Sequence, residues 1–527
     1  MRKQNKTALF LASVLTLSCL VACAPKTVEQ GDSSLITSSP ELVEKEGDWY
    51  EILYKGDTEV ALENGKSIEI PLGQEVGEKS YFWIELDTDV DLVGYLSYEN
   101  SEDSTQTNTE KIFIERGSTE FLSFLDSFRV GAFGAFEKKM NKLTLQNVEE
   151  KTGKVIVKKV GITDRTYEKS EELYISDGHL KMGTSLSVGG TIRHVEKLNA
   201  GVVEYIDENG DVCIDKGIDK ETVELVTDEV NLINIYDLGR EIQQSYYSTV
   251  TEVNGYAPTA EILYDAGLLY NPVQAGSAGD KESQIIDYSI TETEIYVKVR
   301  PTEWFFDNIL SDSYMENIYR LDGKGTLFVT NRFVNFSQFK NMGNTTPCNQ
   351  ELPAIYIVHP LNYFYCETTE GTAFDPNLSP LPTTPGKYSV EEEIKGAYHY
   401  CLAEEKVKDS WFAFVNKNKF GLGVYMPNAD WYNASRGQKS SYYNTLDNSC
   451  YNNTIYNLWG MKYFPSAYVS NYNYLCPSKR LRMMDFRPLQ YEYAVSVGTV
   501  DELGKTFKGI KDEGKLTNKS LSAWAIV

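Results

Sequence analysis

Short runs that alternate apolar and polar residues, separated by turn residues, recur along most of this chain. Ser80 to Leu86, Asp91 to Tyr98 and Lys111 to Glu115 are rich in β-branched and aromatic side chains, and Glu99-Asn-Ser-Glu-Asp follows the second of them. Such runs predict strands with turns between them. Lys142 to Val160 alternates on both sides of Lys151-Thr-Gly-Lys. That pattern predicts a hairpin with one buried face. Evenly spaced strands of this kind predict an antiparallel sandwich over residues 46–165. Its length and closing pair resemble the jelly-roll modules appended to carbohydrate-active proteins.

A polar stretch, Thr163-Asp-Arg-Thr-Tyr-Glu-Lys-Ser-Glu-Glu, leads into a second unit, 170–527. Alternation continues there in Glu172 to Gly183, Thr293 to Arg300, Gly325 to Val334 and Gln490 to Gly498. Val202 to Cys213 contains the turn Asp207-Glu-Asn-Gly-Asp, and Trp411 to Tyr425 reads as strand, turn, strand. Only Asp501 to Asp512, after Thr499, carries a helical signature, with Asp501 and Glu502 suited to a helix N-terminus. No short-period repeat and no internal boundary interrupts this unit. The fold class is therefore all-β: a jelly-roll-like β-sandwich followed by one large two-sheet sandwich.

The N-terminus departs from this pattern. Arg2, Lys3 and Lys6 precede an uncharged run from Thr7 to Val21. A basic head before a short apolar run is the layout of a secretory signal, and the run is shorter than the ~20 residues of a membrane span. Leu20-Val21-Ala22-Cys23 resembles the lipobox of bacterial lipoproteins, and Leu20 fits that pattern better than the Ser18-Cys19 alternative. The resemblance implies a signal peptide over 1–22, acylation of Cys23 and anchoring at the extracytoplasmic face of the cell membrane. Residues 23–45, rich in Ser, Thr, Pro and Glu, are too poor in apolar surface to offset their ordering entropy. They read as a tether.

Charge narrows the partners. The chain carries a formal charge of -25, and losing the three positive charges of the signal makes the mature value -28. Nucleic-acid affinity comes from Lys and Arg neutralising phosphates, so nucleic acid is not an expected partner. Beyond Cys23 stand Cys213, Cys348, Cys366, Cys401, Cys450 and Cys476, with no CxxC spacing. Either one or two bridges or free buried thiols fit that distribution. No GxSxG, HExxH, P-loop or EF-hand pattern occurs, and no cofactor or metal is implied.

Four segments combine turn residues with dense polar and aromatic side chains: Asn234 to Tyr247, Tyr270 to Ser277, Asn349 to His359 and Gly421 to Asn433. Together with Val188-Gly-Gly-Thr-Ile, the motifs Asp237-Leu-Gly-Arg-Glu-Ile-Gln-Gln-Ser-Tyr-Tyr and Asn271-Pro-Val-Gln resemble galactose mutarotase-like ("supersandwich") domains of secreted bacterial proteins associated with glycan use. The resemblance covers roughly 170–510 and implies a carbohydrate ligand. The catalytic His and Glu shared by sugar epimerases of this fold have no residue-by-residue counterpart here.

Within these segments Glu351 is the best candidate for general acid or base chemistry, and His359, eight residues on, is a candidate proton shuttle. Glu241, Asp237, Asp430 and Asp447 are possible second carboxylates, and His399 is another possible shuttle. The candidate ligand contacts are Asp237, Arg240, Gln243, Tyr246, Asn271, Gln274, Tyr425 and Trp431. Arg240 either grips an acidic sugar through its planar fork or pairs with Asp237 to hold a turn. Amide side chains donate and accept, as sugar hydroxyls require. Strand alternation allows only one of Gln243 and Gln244, and one of Tyr246 and Tyr247, to face a given site. Tyr and Asn dominate Trp431 to Tyr474, a mixture suited either to sugar faces or to an exposed sandwich surface. The functional expectation is a surface-anchored lipoprotein that binds and degrades oligo- or polysaccharide, as a hydrolase or lyase. The alternative is a non-catalytic glycan-binding or adhesion lipoprotein.

Overall fold

A computed structural model describes residues 41–521, apart from 46–47, 77–80, 101, 106, 125–137, 164–167, 169, 199–201, 207–211, 217–230, 236–239, 250–269, 278–280, 305–308, 340–346, 359–360, 362, 369–397, 417–418, 438–471 and 519–520. The signal segment, Cys23, Asp237, His359, Asp447 and Cys450 lie outside the described residues.

The first unit is built from two antiparallel sheets. One places Asp48–Lys55, Gly153–Thr163, Tyr81–Thr88 and Glu120–Phe124 side by side, with Glu59–Leu62 also paired to Gly153–Thr163. The other places Ser67–Val76, Lys138–Asn147, Leu92–Asn100 and Thr107–Ile114 side by side. From Asp48–Lys55 on, the strand order within the two sheets is that of a jelly roll, with Leu92–Asn100 and Thr107–Ile114 paired as a hairpin and the other main connections crossing between sheets. Apolar faces meet between them, with Ile70, Phe82, Ile84, Leu86, Leu96, Leu143 and Leu145 fully buried.

Two expectations are corrected here. Lys138–Asn147 and Gly153–Thr163 do not form a hairpin; they belong to opposite sheets. The turn between them is a corner, held by Asn147, whose Nδ2 donates to the carbonyls of Leu62 and Lys151 at 2.8 Å each. Alternation reports that one face is buried, not whether the next strand lies beside or across. Glu41–Lys45, assigned above to the tether, pairs with Asp48–Ile52 as an edge strand. An edge strand needs little apolar surface, because its backbone groups supply the bonds.

The second unit is a larger sandwich. A ten-stranded sheet runs Glu172–Ser176, Leu180–Ser185, Ile192–Lys197, Ile242–Ser245, Cys348–Ile357, Tyr472–Leu481, Trp431–Gly437, Tyr398–Ala403, with Pro272–Val273 and Thr302–Glu303 at its side. An eight-stranded sheet runs Gln284–Ile290, Glu294–Arg300, Ser313–Leu321, Thr326–Asn335, Leu489–Thr499, Phe420–Tyr425, Val407–Val415, Tyr363–Thr368. One core fills the space between them, including Ile192, Ile242, Ile355, Leu475, Val297, Phe333, Phe414 and Val495. The expected hairpins Val202–Ile206 with Val212–Lys216 and Val407–Val415 with Phe420–Tyr425 are present.

The expected helix spans Val500–Asp512. Thr499 caps it and Glu502 returns the bond to the Thr499 backbone, a capping box. It buries Val500, Leu503, Phe507 and Ile510 on the outer face of the eight-stranded sheet, against Trp411, Tyr425 and Ala494. Elsewhere on that same outer face, Ile286, Tyr314, Val334 and Phe336 join the jelly-roll core. The two units thus share buried apolar surface. No described helix is long and apolar enough to cross a membrane.

Val188-Gly-Gly ties the two large sheets together. Gly189 and Gly190 both adopt positive φ, 62° and 68°. Their carbonyls accept from Gln274 Nε2 at 3.0 Å and from Tyr319 Oη at 2.6 Å. A Cβ on Gly189 would fall 2.0 Å from the Gln274 carbonyl oxygen. Gly189→Ala combines a left-handed backbone with a collision against main chain, so it is expected to cost about 3 kcal/mol. A denaturant midpoint unchanged from wild type would refute this.

Candidate functional site

Glu351 is turned onto the outer face of the ten-stranded sheet by an irregularity in its own strand. Register against Tyr472–Leu481 shifts between Glu351 and Ile355. Ile355 and Leu352 therefore point into the inter-sheet core. Ala354 and Tyr356 cluster on the other face with Tyr474 and Cys476, and Glu351 lies on that face, its carboxylate bonded to Tyr474. Across the sheet, Glu351 is in register with Ser245 on one side and Ser478 on the other, and Ser478 with Trp431. Residues in register share a face, so half-buried Trp431 stands two strands from Glu351, about 10 Å away.

The carboxyl group is surrounded by hydroxyls. Tyr474 Oη donates to Glu351 Oε1 at 2.5 Å, and Tyr247 and Ser245 also bond it. Burial pushes the Glu351 carboxyl up to about 7, although those hydroxyl bonds pull it the other way. Burial likewise raises Tyr247 and Tyr474 well above the ordinary phenol range, and the Glu351 charge adds to both. The phenols therefore stay protonated as donors while Glu351 exchanges its proton near neutral pH.

Polar contacts extend from this cluster. Ser245 Oγ donates to Tyr247 Oη at 3.3 Å, and Asn271 Nδ2 donates to Ser245 Oγ at 3.3 Å and to the Tyr246 carbonyl at 2.9 Å. Gln350 clamps the Tyr247 backbone from both sides, accepting at 2.8 Å and donating at 2.9 Å. Arg240, 1% exposed, lies over the Tyr356 ring at 5.6 Å. Gln243 is in register with Ala354 on this face and accepts from Ala275 N–H at 3.2 Å.

Not every candidate gathers here. Tyr246 points the other way, into the core, where its hydroxyl donates to Gln244 Oε1 at 2.6 Å and its ring packs 4.2 Å from Phe333. Tyr247, not Tyr246, faces Glu351. Gln274 is a strut between the sheets, bonded to Gln244 N–H, Gly189 and Tyr319. Tyr425 lies on the opposite sheet under the helix, stacked on Phe507 at 6.1 Å, and burial pushes its hydroxyl up to about 12. Asp430 is tied to Lys479 at 2.6 Å and to Arg480 N–H at 2.9 Å, as a loop staple. Glu241 sits 3.7 Å from Arg193 with φ 52°. Cys348, Cys366 and Cys476 are buried thiols. Among the described residues no three His, Cys, Asp or Glu side chains are placed to hold a metal ion.

Among the buried acids that sequence reading missed, one lies beside Asn271. Glu303 is 1% exposed and accepts from Asn271 N–H at 3.0 Å. Burial pushes it up to about 8, against the Asn271 and Ser311 bonds. It neighbours Tyr270, whose hydroxyl bonds Ser311 and Asn335 inside the core. Trp304 N–H donates to the Asn271 carbonyl, so the strand bearing Glu303 is joined to the Asn271 segment next to Ser245. Thr302-Glu303 offers too short a strand to be marked by alternation.

No protein-family model and no curated protein matches this sequence. Some solved structures are similar in part. A galactose mutarotase related enzyme from Lactobacillus acidophilus matches 62% of this chain and 97% of its own, with 13% identity and a TM-score of 0.32. A 4-α-glucanotransferase from Thermococcus litoralis matches 63% of this chain, with 9% identity and a TM-score of 0.27, and this chain spans only 38% of that enzyme. A truncated protein with CBM32 and alginate lyase domains matches 58% of this chain and 80% of its own, with 10% identity and a TM-score of 0.14. At TM-scores below 0.5, substrate and reaction must be argued from this chain's own residues.

Proposed function

We propose that this protein is a lipoprotein, anchored through Cys23 at the extracytoplasmic face of the membrane, that binds saccharide over the Glu351 face and moves a proton there. The observation that carries this reading is a buried carboxyl, titrating at about 7, held by three hydroxyls. Arg240, Gln243, Asn271 and Trp431 supply the surrounding contacts: charge for an acidic sugar, amides for hydroxyls and a flat ring for a sugar face. Asp237 and His359 remain candidate contributors through their sequence positions.

The reaction class this favours is lyase-like. Glycoside hydrolysis employs two carboxyl groups about 5–10 Å apart across the bond, whereas the bonds made by Glu351 are to Tyr474, Tyr247 and Ser245. One carboxylate with tyrosine hydroxyls suits abstraction of a carbon-bound proton and its return elsewhere. The ionised form is the base, so turnover should rise with pH through about 7.

The test is incubation of the wild-type protein with an array of oligosaccharides, uronate-containing ones included, followed by product analysis. Glu351→Gln is expected to lower turnover about 10²-fold while binding persists. Unchanged turnover in that variant would remove Glu351 from the mechanism. The same hydroxyls that tune Glu351 also satisfy it, and this favours glycan binding without turnover as the second reading. Saccharide affinity with no product, even after long incubation, would establish that alternative.

A further inference from the structure

Glu303 is a buried acid with no part in the proton transfer proposed at Glu351. It lies on the two-residue strand Thr302–Glu303, in register with Pro272. Val273 is in register with Ser245, and Ser245 with Glu351. Three strand spacings therefore separate the two acids, about 14 Å. They are too far apart to touch, and a series of bonds joins them.

The series begins at the Asn271 backbone. Glu303 Oε2 accepts from the Asn271 N–H at 3.0 Å, and Trp304 N–H donates to the Asn271 carbonyl at 2.9 Å. Glu303 and its neighbour thus grip both backbone polar groups of one residue. With its backbone held, Asn271 turns its amide toward the Glu351 side. Its Nδ2 donates to the Tyr246 carbonyl at 2.9 Å and to Ser245 Oγ at 3.3 Å. Ser245 Oγ donates to Tyr247 Oη at 3.3 Å, and both hydroxyls bond the Glu351 carboxyl. From behind, Ser311 bonds the Glu303 carboxyl, while its own carbonyl accepts from Arg300 at 3.0 Å.

Direction matters in such a series. A hydroxyl has one proton to give. Because Asn271 donates to Ser245, the Ser245 proton points onward, to Tyr247 and Glu351. Tyr247 receives from Ser245 and keeps its own proton for Glu351. Each donor polarises the next, and the bonds at the end strengthen as the carboxylate gains charge. Bonds of this sense favour the ionised form, the form that acts as the base. Glu303 suits its own end of the series as an acceptor without charge. Burial pushes it up to about 8, so near neutral pH it keeps its proton and places no anion behind Asn271.

We propose that Glu303 is a positioning residue of the Glu351 site: it locks the Asn271 backbone, so that the Asn271 amide orients the Ser245 and Tyr247 hydroxyls toward Glu351. This role rests on the proton-transfer reading of Glu351. It adds a residue that acts through others and touches neither ligand nor reacting atoms.

The experiment reads the Glu351 proton itself. Infrared spectra of the full chain in D2O are recorded from pH 5 to 9, and subtracting those of the matching Glu351→Gln variant isolates the Glu351 carboxyl band. Its midpoint in wild type is expected near 7. Glu303→Met removes the acceptor and, below about pH 8, removes no charge. It should raise the midpoint by at least about 0.5 pH unit, roughly a 3-fold change in proton affinity. Asn271→Leu should raise it as much, and the two together no further, because both interrupt one series. Glu303→Gln, which keeps a neutral acceptor, should restore the wild-type midpoint. Glu303→Asp, whose carboxyl falls a methylene short of Asn271, takes the place of Glu303→Met should that variant fold poorly. A midpoint unmoved by loss of the acceptor, shifts that add in the double variant, or no rescue by Glu303→Gln would overturn the proposal and leave Glu351 in place. A wild-type band that does not titrate between pH 5 and 9 would overturn the Glu351 reading and this role with it.

Discussion

Replacing Arg300 with Met is expected to destabilise the protein by about 3–5 kcal/mol, the loss typical of removing one partner from a buried ion pair. The Arg300 side chain is fully buried where the two units meet. Its guanidinium donates to Glu110 of the jelly roll at 2.6 Å, to Asp312 of the large sandwich at 3.0 Å and to the Ser311 carbonyl at 3.0 Å. Lys111 adds a bond to Asp312 at 3.2 Å and another to the Ser337 carbonyl at 2.7 Å. Without Arg300, Glu110 would stay buried with its charge uncompensated. The cost lies in that stranded carboxylate, because two desolvated charges gain little over a well-packed apolar pair. Arg300→Met combined with Glu110→Gln and Asp312→Asn should therefore recover more than half of the loss. Urea unfolding of the single and triple variants measures both. A loss below about 1 kcal/mol in Arg300→Met would contradict the assignment of this network to the seam.

The second large effect concerns Glu303 and pH. Its folded-state value is about 8, against 4.5 for the ordinary carboxyl. Between those limits the unfolded chain has lost a proton that the folded chain retains. Stability contributed by this group is therefore full below about pH 4.5, declines as pH rises and levels off above about 8. The displacement corresponds to about 5 kcal/mol at most. Glu351, raised to about 7, acts in the same sense over a narrower window. Glu303→Gln keeps an acceptor for the Asn271 N–H and abolishes the titration. The variant should match wild type near pH 4.5 and exceed it by a few kcal/mol at pH 8.5. Measuring the difference between the two proteins cancels every other titrating group. Parallel stability curves across that range would show that Glu303 ionises normally.

Much of this architecture was legible before any tertiary contact was known. Period-2 alternation located several strands of both units, and acidic Asp501-Glu502 after Thr499 marked the described α-helix at Val500–Asp512. These signals are local: a strand or cap is written in the residues that form it. Glu351 was legible as an acid beside a proline in a polar-aromatic segment. Its usefulness was not, because an elevated proton affinity arises from burial by distant segments, among them those bearing Tyr247 and Tyr474, 104 and 123 positions away.

Alternation also showed that Tyr246 and Tyr247 must face opposite ways, and that Gln243 and Gln244 must as well. It could not say which way. That choice depends on the phase of the strand against its neighbours, and the register shifts beside Gln243 and Glu351 reset that phase. Tyr425 misled for a related reason: a polar-aromatic loop looks alike whether it borders a ligand face or lies under a helix. The Lys138–Thr163 pair of strands misled because sequence neighbours in a jelly roll cross between sheets.

By itself, then, the sequence determined an all-β chain in two units and a set of residues able to bind or titrate. Periodicity and capping depend only on nearby residues, and so these survive without the fold. Tertiary structure alone decided which side chains share a face, which acids lose their water and where the two units lock. Those outcomes depend on burial and on partners brought together from distant segments. Arg300 and Glu303 owe their chemistry to that assembly, as does the choice of Tyr247 over Tyr246 beside Glu351.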